Sequence, residues 1–408
     1  MNRKPFYLLI GLIALFFSCT QQEFESDLPE PQNKIFNVHD ENFVNIDEIE
    51  NIANNIFTDS PFFKGRVSEV MPIGSVENKP SYYIINYTEG FLIMSADKRA
   101  LPVLAFSDKH NFRTDAEVYP SGLVDWLEFQ DNYIQLIRKD SITDIISVSK
   151  TEWTIGNIEK YIRPIEIPQE DPPVPSRNCK RDGAYTEFLY GPLLNTTWGQ
   201  GVGYNNLAPH YGCSNYSNGN TPTGCVATAM AQVMRYYQHP SSYNWTLMNN
   251  GTGSAETSRL MRDAGDSVNM NWGCDGSGAK TQNVPNALKS TFSYSSADLL
   301  NSFNVTIAKD EISNDYPIIL SGGERKTKWL FFNVYENGHA WVCDGIRQDV
   351  VPVRTPVGQH GYETNCKRVW LKHMNWGWNG SYNGWYNFWH VAGYRFDYKP
   401  KMVYNIRN

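Results

Sequence analysis

The sequence predicts two successive α+β units, the second with its helices before its strands. Two observations lead to this prediction. A proline-rich, polar stretch divides the 408-residue chain between residues 163 and 183, and a chain of this length is typical of two domains. In the second half, helical apolar spacings come first and β-type runs dominate from Tyr316 onward. That order is expected of an α+β domain rather than of alternating β and α units.

The first 19 residues are predicted to be a lipoprotein signal peptide. Arg3 and Lys4 form a short basic region, and the apolar run Phe6–Phe17 that follows is too short for a membrane span. Cys19 comes almost directly after this run, so we expect it to be the lipidated first residue of the mature chain. The alternative is ordinary secretion with cleavage nearby. Both predict an exported protein, anchored at the bacterial outer membrane or cell surface if lipidated, with the acidic stretch 20–34 as a tether.

Residues 35–162 are predicted to form a small α+β unit. This part of the chain has two helical apolar patterns with three short β-type runs between them. The helical patterns cover 46–57 and 123–137, and the runs cover 82–87, 91–94 and 103–106. Turn residues separate the runs, which predicts an antiparallel meander. The unit has no nucleophile motif, metal-ligand cluster or glycine-rich phosphate loop, so its sequence favours a binding or packing domain.

Residues 163–183 are predicted to be an exposed linker, and residues 184–408 a second domain. The linker is rich in proline and polar residues, a composition typical of extended chain, and exposed linkers are where proteases cut. The second domain is expected to contain three helices and then five strands. The helices are expected from residue 225 onward, at 256–264 and at 285–291, and the strands at 317–320, 329–335, 340–346, 368–374 and 385–389.

A cysteine is predicted at the N-terminus of a buried helix within the stretch 223–234. Val226, Met230 and Val233 recur at helical spacing, and a glycine precedes Cys225. The free N–H groups and the dipole at a helix N-terminus favour the thiolate, which is the nucleophilic form of cysteine. A cysteine among small apolar residues is also typical of a packed core. The stretch alone therefore leaves both interpretations open.

The chain also contains the other groups that a thiol nucleophile needs, namely a base, a group that orients the base, and oxyanion donors. Of the eight histidines, His339 is the candidate base, because Gly338 gives access and the apolar run after it gives rigidity. Asn375 can accept an imidazole N–H, and Trp376 can keep water off that hydrogen bond. Gln200 is the candidate oxyanion donor. In isolation, His339 also fits a strand-edge core histidine, the Asn375–Trp376 turn also fits a sugar-binding surface, and one glutamine alone indicates nothing.

The order of these residues along the chain is the one that papain-like cysteine proteases use, with oxyanion donor, nucleophile, base and orienter in succession. Residues 185–408 resemble the streptopain-like cysteine peptidases of bacteria, and the first half resembles their inhibitor-type prodomain. The matching stretches are Trp198-Gly-Gln200, Gly224-Cys225-Val-Ala-Thr-Ala229, Gly338-His339-Ala340, Asn375-Trp376-Gly377-Trp378, Tyr83-Ile-Ile-Asn86, Ser95-Ala96-Asp97 and 102–107.

The resemblance implies a papain-like, two-lobed peptidase domain after a small α+β prodomain. One lobe is expected to be helical and to carry the cysteine, and the other to be an antiparallel β lobe that carries the histidine. The resemblance further implies that Cys225 is the nucleophile, that His339 is the general base and that Gln200 lies in the oxyanion hole. Asn375 and Trp376 match the residues that support the histidine. The implied partners are protein or peptide substrates and the chain's own prodomain as an intramolecular inhibitor.

Cysteine counting and spacing bound the disulfides and metals. Seven cysteines occur. With Cys19 lipidated and Cys225 catalytic, five remain, and an odd number cannot all pair. We therefore predict no disulfide framework and at most one bridge. No cysteine or histidine spacing fits a zinc site, so neither a metal nor another cofactor is expected.

The sequence as a whole predicts a secreted cysteine endopeptidase made as a zymogen, with a Cys–His thiolate–imidazolium pair. The alternative is a surface glycan-binding lipoprotein with an inactive peptidase-like fold, since Trp/Gly/Asn turns are typical of sugar-binding surfaces. A net charge of -7 argues against nucleic acid and anionic membrane surfaces as partners, which leaves only the lipid anchor for membrane contact. Two segments, 321–337 and 345–372, are longer than the streptopain pattern, so no substrate preference is carried over.

Overall fold

The structure is a computed structural model that describes most of the chain from residue 40 onward. The described ranges are 40–56, 66–75, 79–139, 147–148, 150–163, 178–322, 328–330, 332–333, 338–357, 361–388 and 400–408. The predicted signal peptide with Cys19, the tether and residues 164–177 of the linker lie outside them, as do residues 331, 334 and 335 of the predicted strand 329–335. Residues 42–408 form one compact unit.

Helices and strands occur in both halves of this unit. The helices are α1 (Ile46–Ile56), α2 (Ser121–Arg138), α3 (Ile155–Ile162), α4 (Cys179–Asp182), α5 (Cys225–Tyr237), α6 (Ala255–Ser267), α7 (Val284–Ser290) and α8 (Val305–Ser313). The strands are β1 (Val67–Ile73), β2 (Tyr82–Tyr87), β3 (Phe91–Ser95), β4 (Val103–Ser107), β5 (Ser147–Val148), β6 (Tyr185–Tyr190), β7 (Ser296–Leu300), β8 (Ile318–Gly322), β9 (Lys328–Trp329), β10 (Phe332–Asn333), β11 (His339–Val357), β12 (Gly361–Asn375), β13 (Gly384–Asn387) and β14 (Lys401–Arg407).

A single antiparallel sheet joins the two halves of the molecule. Its main path runs β1-β2-β3-β4-β13-β12-β11-β8-β14-β7, and β5 and β6 also pair with β11. The halves meet where β4 pairs with β13, with Phe106 opposite Trp385 and Ala105 opposite Tyr386. The first half therefore adds its four-stranded meander to an edge of the sheet of the second half.

The predicted meander of the first half is present, and a helix covers each of its faces. All residues of β2, β3 and β4 are buried, which explains why these strands read as continuous apolar runs. Neighbouring residues of a strand point to opposite faces. The Tyr82 hydroxyl donates to the Leu127 carbonyl in α2 (3.0 Å), and the Tyr83 hydroxyl donates to the Val44 carbonyl just before α1 (3.0 Å). Helices α1 and α2 thus lie on opposite sides of the meander.

The helices predicted for the second half are present, although several further elements were not predicted. Helix α5 begins at Cys225 and buries every residue from Cys225 to Met234. Helix α7 has its proline in the first turn, as expected from the fixed φ of proline. The sequence did not predict α4, β6, β7, α8 and β14 in this half, nor β1, β5 and α3 in the first half.

Strands β11 and β12 are much longer than the predicted 340–346 and 368–374. They pair from Val342 opposite Asn375 out to Val357 opposite Gly361. The apolar pattern breaks inside β11 because Arg347 and Asp349 are buried there as an ion pair, with 2.8 Å between Nε and Oδ1. Buried charges are found in a sheet when they are paired, and a pattern of apolar residues does not detect them.

The prediction of no disulfide framework is wrong, because two disulfides are present. Cys179 is bonded to Cys366 and Cys213 to Cys274, and Cys343 is a buried free thiol. The odd remainder of five cysteines therefore resolves into four paired residues and one free residue. The first bridge fastens α4 to β12, and α4 lies within the predicted linker 163–183, so this end of the linker is folded rather than extended.

None of the helices in the described part of the chain combines the length and apolar character needed to cross a bilayer. Within the same ranges, no group of three or more histidine, cysteine, aspartate or glutamate side chains is arranged to hold a metal ion.

Candidate active site

A glycine turn delivers Cys225 to the start of helix α5. Gly224 has a φ of 84°, a conformation that favours glycine. A Cβ at this position would lie 2.7 Å from the Met270 Cε and 2.8 Å from the Ser277 carbonyl. The Gly224 carbonyl accepts the Thr228 N–H at 3.0 Å and so begins the helix. The backbone thus fixes where the thiol lies.

Burial makes the Cys225 thiol a weak acid in this structure. Desolvation raises the pKa of Cys225, while backbone N–H groups of Ala340, Val226 and Cys225 itself act in the opposite direction. The amide groups at the helix N-terminus therefore act in the predicted direction, toward the thiolate, but desolvation outweighs them in this structure and the net shift favours the thiol. The influence of Ala340 also places the thiol beside the start of β11, one residue after His339.

His339 is the first residue of β11, and only 3% of its surface is exposed. Its Nε2 lies 2.8 Å from the Trp376 carbonyl. A carbonyl can only accept, so Nε2 carries the hydrogen. Nδ1 is buried without a hydrogen-bond partner among the described residues, which leaves its lone pair free to take a proton. Burial lowers the pKa of His339 to about 4, so the imidazole is neutral at pH 7.

Aromatic rings enclose the imidazole. The ring of His339 stacks on Trp341 at 5.9 Å between centroids and 14° between planes, and on Trp376 at 6.2 Å and 25°. Trp378 approaches from the side at 6.2 Å and 70°. These rings hold the imidazole plane in place and exclude water from it, which accounts for the strong desolvation of His339.

Asn375 does not bind the imidazole in this structure, contrary to the predicted asparagine–histidine hydrogen bond. Its Nδ2 donates to the Thr196 carbonyl at 2.6 Å. Its Oδ1 accepts from Gln232 Nε2 at 3.2 Å and from the Gly377 N–H at 3.3 Å. Both acceptor positions of Oδ1 are thus occupied, and the Trp376 carbonyl takes the imidazole N–H instead. Asn375 still fixes the turn from which that carbonyl projects.

Gln200 lies in the segment that packs against the cysteine turn. Its backbone carbonyl accepts the Thr223 N–H at 3.0 Å, two residues before Cys225. Trp198 anchors the same segment, since it is fully buried and its indole donates to the Asn249 carbonyl at 2.7 Å. The predicted donor and nucleophile therefore belong to adjoining backbone segments.

Gln232 is a site residue to which sequence reasoning assigned no role. From within helix α5, its side-chain amide accepts a hydrogen bond from the Trp198 backbone N–H and donates one to Asn375 Oδ1. The signal that could have found it is helical spacing: position 232 is seven residues after Cys225 and falls on the same helix face. A polar residue on that face of a buried helix needs hydrogen-bond partners.

Helix α2 of the first half lies against the rings around His339. A Cβ at Gly122, in the first turn of α2, would lie 2.6 Å from the Trp341 ring and 3.3 Å from the Trp376 ring. One turn further along, the Trp126 indole donates to the Asn387 carbonyl in β13 at 2.8 Å. The first half thus covers the side of the site that holds the imidazole.

A cysteine at a helix N-terminus, close to the start of the antiparallel strand whose first residue is a histidine, is the arrangement expected of papain-like cysteine peptidases. Comparison with known families agrees with this class. Residues 198–254 and 241–386 match the Peptidase C10 family, and residues 42–134 match the Spi protease inhibitor family. Residues 198–386 are thus similar to streptopain-like peptidases and residues 42–134 to their inhibitor-type prodomain, which confirms the resemblance found in the sequence.

Individual relatives give the same relationship. The chain is 26% identical over 340 residues to the thiol protease/hemagglutinin PrtT of Porphyromonas gingivalis, covering 73% of this chain and 33% of that protein. It is 25% identical over 359 residues to streptopain of Streptococcus pyogenes, covering 76% of this chain and 74% of that protein. The chain therefore spans about a third of the length of the first relative and about three quarters of the second.

The fold class is also confirmed by a solved structure. The chain resembles a fragment of prointerpain A from Prevotella intermedia in which a cysteine is replaced by alanine. The TM-score is 0.52 at 22% identity, and the likeness covers 83% of this chain and 99% of that chain. At this identity the likeness establishes the fold alone, which is of the predicted α+β class.

Proposed function

We propose that this protein is a secreted cysteine endopeptidase, made as a zymogen, in which Cys225 and His339 cleave peptide bonds. The observation that carries the proposal is the orientation of the imidazole. Its Nε2–H is held by the Trp376 carbonyl, and its Nδ1 is buried without a partner in the described structure. The backbone N–H of Ala340, the next residue, acts on the Cys225 thiol. A free basic nitrogen therefore lies at the start of the strand that reaches the thiol.

The proposed mechanism uses these groups in turn. His339 Nδ1 takes the proton of the Cys225 thiol, and the thiolate attacks the peptide carbonyl to form a tetrahedral oxyanion. The backbone N–H of Cys225 and the side-chain amide of Gln200 donate to that oxyanion. His339 then gives its proton to the leaving amine, and water hydrolyses the thioester. Trp376 and Asn375 keep the imidazole in one orientation throughout.

The first half of the chain is proposed to keep the enzyme latent. Burial raises the pKa of Cys225 and lowers the pKa of His339, so the neutral thiol and neutral imidazole are favoured over the ion pair. Helix α2 contributes to this burial through Gly122, which packs on Trp341. Cleavage of the linker 163–183 and release of the prodomain would readmit water and permit the thiolate–imidazolium pair.

Export is proposed from the sequence of residues 1–34, with a signal peptide at 1–19, a lipid on Cys19 and a tether at 20–34. Mass spectrometry of the mature N-terminus tests this. A diacylated or triacylated Cys19 supports the lipid anchor, and an unmodified N-terminus further along supports plain secretion. A retained Met1 contradicts both.

Replacement of the nucleophile tests the peptidase itself. Cys225→Ala, processed in the same way as the wild type, is expected to lose casein cleavage by at least about 1,000-fold, or about 4 kcal/mol of transition-state stabilisation. An epoxysuccinyl thiol-protease inhibitor should label the processed wild type once and Cys225→Ala not at all, because Cys343 is buried. Equal cleavage by the two proteins contradicts the proposal.

The alternative of a glycan-binding surface requires exposed aromatic faces. Trp376, the central indole of the Trp/Gly/Asn turn, is 1% exposed and stacks on His339. The face of Trp376 is therefore covered by the imidazole and not available to a sugar, which favours the peptidase over the glycan-binding alternative.

A further inference from the structure

Helix α5 carries a buried glutamine directly below the nucleophile. Gln232 follows Cys225 by seven residues, close to two helical turns, so the two side chains share a helix face. The glutamine is 0% exposed. Thr228 lies between them on this face. Its hydroxyl is 3.0 Å from the Gly224 carbonyl oxygen and 2.9 Å from the Thr223 hydroxyl, and both contacts are hydrogen bonds.

The oxygen and the nitrogen of the Gln232 side-chain amide are both hydrogen-bonded, and their partners allow only one orientation of the amide. Oε1 accepts the Trp198 backbone N–H at 3.2 Å, and a backbone N–H can only donate. Nε2 donates to Asn375 Oδ1 at 3.2 Å. The Asn375 amide is itself oriented by Thr196, whose carbonyl accepts from Nδ2 at 2.6 Å. Backbone groups at each end thus fix the direction of the whole chain of hydrogen bonds.

The two partners of Gln232 belong to the two segments that complete the site. Trp198 lies two residues before Gln200, the proposed oxyanion donor. Asn375 immediately precedes Trp376, whose carbonyl holds His339 at 2.8 Å. The turn after Asn375 also approaches the helix closely, since a Cβ at Gly377 would lie 3.1 Å from Thr228 Cγ2. One side chain therefore connects the helix of the nucleophile to the oxyanion segment and to the histidine turn.

We propose that Gln232 is a positioning residue that sets the distance between thiol, oxyanion donor and imidazole. This inference rests on the proposed peptidase function and assigns a specific part of it to a residue remote from the substrate. Only a side chain with one acceptor and one donor satisfies both partners. Loss of either bond allows the segments to shift, and a misplacement of about 1 Å can cost about 100-fold in rate.

Two substitutions separate hydrogen bonding from packing. Gln232→Met keeps the length and shape of the side chain but removes the donor and the acceptor. Gln232→Glu keeps the acceptor, but its carboxylate faces Asn375 Oδ1 and repels it. When protonated, the same carboxylic acid offers one donor and one acceptor, as the amide does. Burial raises the pKa of a carboxylic acid, so this neutral form becomes populated at mildly acidic pH.

The test measures kcat and KM for a peptide substrate between pH 5 and 8. All full-length variants are first cut by trypsin, for which the linker sequence supplies Arg177, and the trypsin is then inhibited. Processing therefore does not depend on the activity of each variant. We expect Gln232→Met to lose about 10- to 100-fold in kcat at every pH with KM changed less than about 3-fold. Gln232→Glu should show the same loss at pH 8 and recover toward wild type at pH 5.

The matched control is Gln238→Met, because Gln238 is exposed at the end of the same helix and should keep its kcat. Recovery of Gln232→Glu at low pH is a readout that a packing role would not give. The inference is overturned if the processed wild type is active and Gln232→Met retains its kcat, or if Gln232→Glu shows no recovery. An inactive wild type whose Cys225 is not labelled would instead overturn the proposed function.

Discussion

Desolvation of two side chains is the physical basis of the proposed latency of this site. His339 is held in a productive tautomer, with hydrogen on Nε2 and a free Nδ1. However, burial shifts the pKa of Cys225 up and the pKa of His339 down to about 4. Both shifts favour the neutral pair, so the proposed latency results from desolvation of the two groups and not from the orientation of the imidazole.

A pH profile of thiol alkylation follows from these shifts. With the pKa of Cys225 raised above its ordinary value of about 8.5, less than about 3% of the thiol is ionised at pH 7. Alkylation of the intact zymogen by iodoacetamide should therefore increase about 10-fold per pH unit from pH 6 to 8, since well below the pKa each unit raises the thiolate fraction 10-fold. After prodomain removal, an ion pair with His339 should give a nearly constant rate around neutral pH.

The alkylation rate is measured by stopping the reaction at successive times and determining the alkylated fraction by intact-protein mass spectrometry. Cys225→Ala reports any background from Cys343, the other free cysteine among the described residues. A pH-independent rate in the uncut zymogen would show that the ion pair already exists there, and the burial argument would be wrong.

The candidate residues of the site followed from sequence, but their bonds did not. Gln200, Cys225, His339 and Asn375 could be selected by residue type and order along the chain. The partner of the imidazole could not, because a backbone carbonyl such as that of Trp376 leaves no trace in the sequence. Asn375 was expected to fill that role and is occupied by its own neighbours.

Helix α2 is the element through which the first half contacts the rings that enclose the imidazole. Gly122 has no room for a side chain, since its Cβ would lie 2.6 Å from the Trp341 ring. We expect Gly122→Leu to push α2 away from this ring, because overpacking typically costs about 1–3 kcal/mol. Labelling of Cys225 by an epoxysuccinyl inhibitor in the uncut zymogen should then become about 5- to 100-fold faster.

Gly156→Leu is the matched control for this substitution. Gly156 lies in α3 of the same half, and a Cβ there would have no neighbour within 4 Å. Its labelling rate should equal that of the wild type. If both variants label equally slowly, α2 does not limit access to the site through this contact.

Elements formed by local apolar patterns were predictable, and elements stabilised by distant partners were not. Strands β2, β3 and β4 are short and wholly buried, so their residues alone indicate them. The hairpin of β11 and β12 extends through Arg347 and Asp349, which are stable there because each is the partner of the other. The bridge between Cys179 and Cys366 joins residues 187 positions apart, a pairing that no local pattern contains.

At the scale of the whole molecule, the interface between the two halves contains titratable groups. A cavity of about 300 Å³ lies between them, lined by residues that include Asp108, Lys109 and His110 from the first half and Arg347 and His373 from the second. His373 Nδ1 lies 2.6 Å from Oδ1 of the buried Asp344. Burial, and then the nearby His373, lowers the pKa of His110 to about 4; Lys109 acts in the same direction, and Asp108 and Asp344 oppose it.

Acidification should therefore loosen this interface. The ordinary pKa of histidine is about 6.5, so between pH 6.5 and 4 His110 binds more protons when the halves are apart than when they are together. Burial depresses the pKa of His110 in the folded protein, so the folded state is favoured while this imidazole is neutral. The free energy of unfolding therefore decreases as the pH falls through this window. His339, with its pKa of about 4, contributes in the same direction.

His110→Asn isolates the contribution of the interface. In full-length Cys225→Ala protein, which cannot process itself, the free energy of unfolding in urea should decrease from pH 7 to pH 4.5. The slope of the free energy of unfolding against pH is proportional to the number of protons taken up on unfolding. The added His110→Asn substitution should reduce that number by up to about one proton. His239→Asn is the control, since His239 lies in the second half and bonds the Ser293 carbonyl. An unchanged slope in His110→Asn would mean that the interface does not respond to acid through this residue, and that His339 and other groups account for the pH dependence.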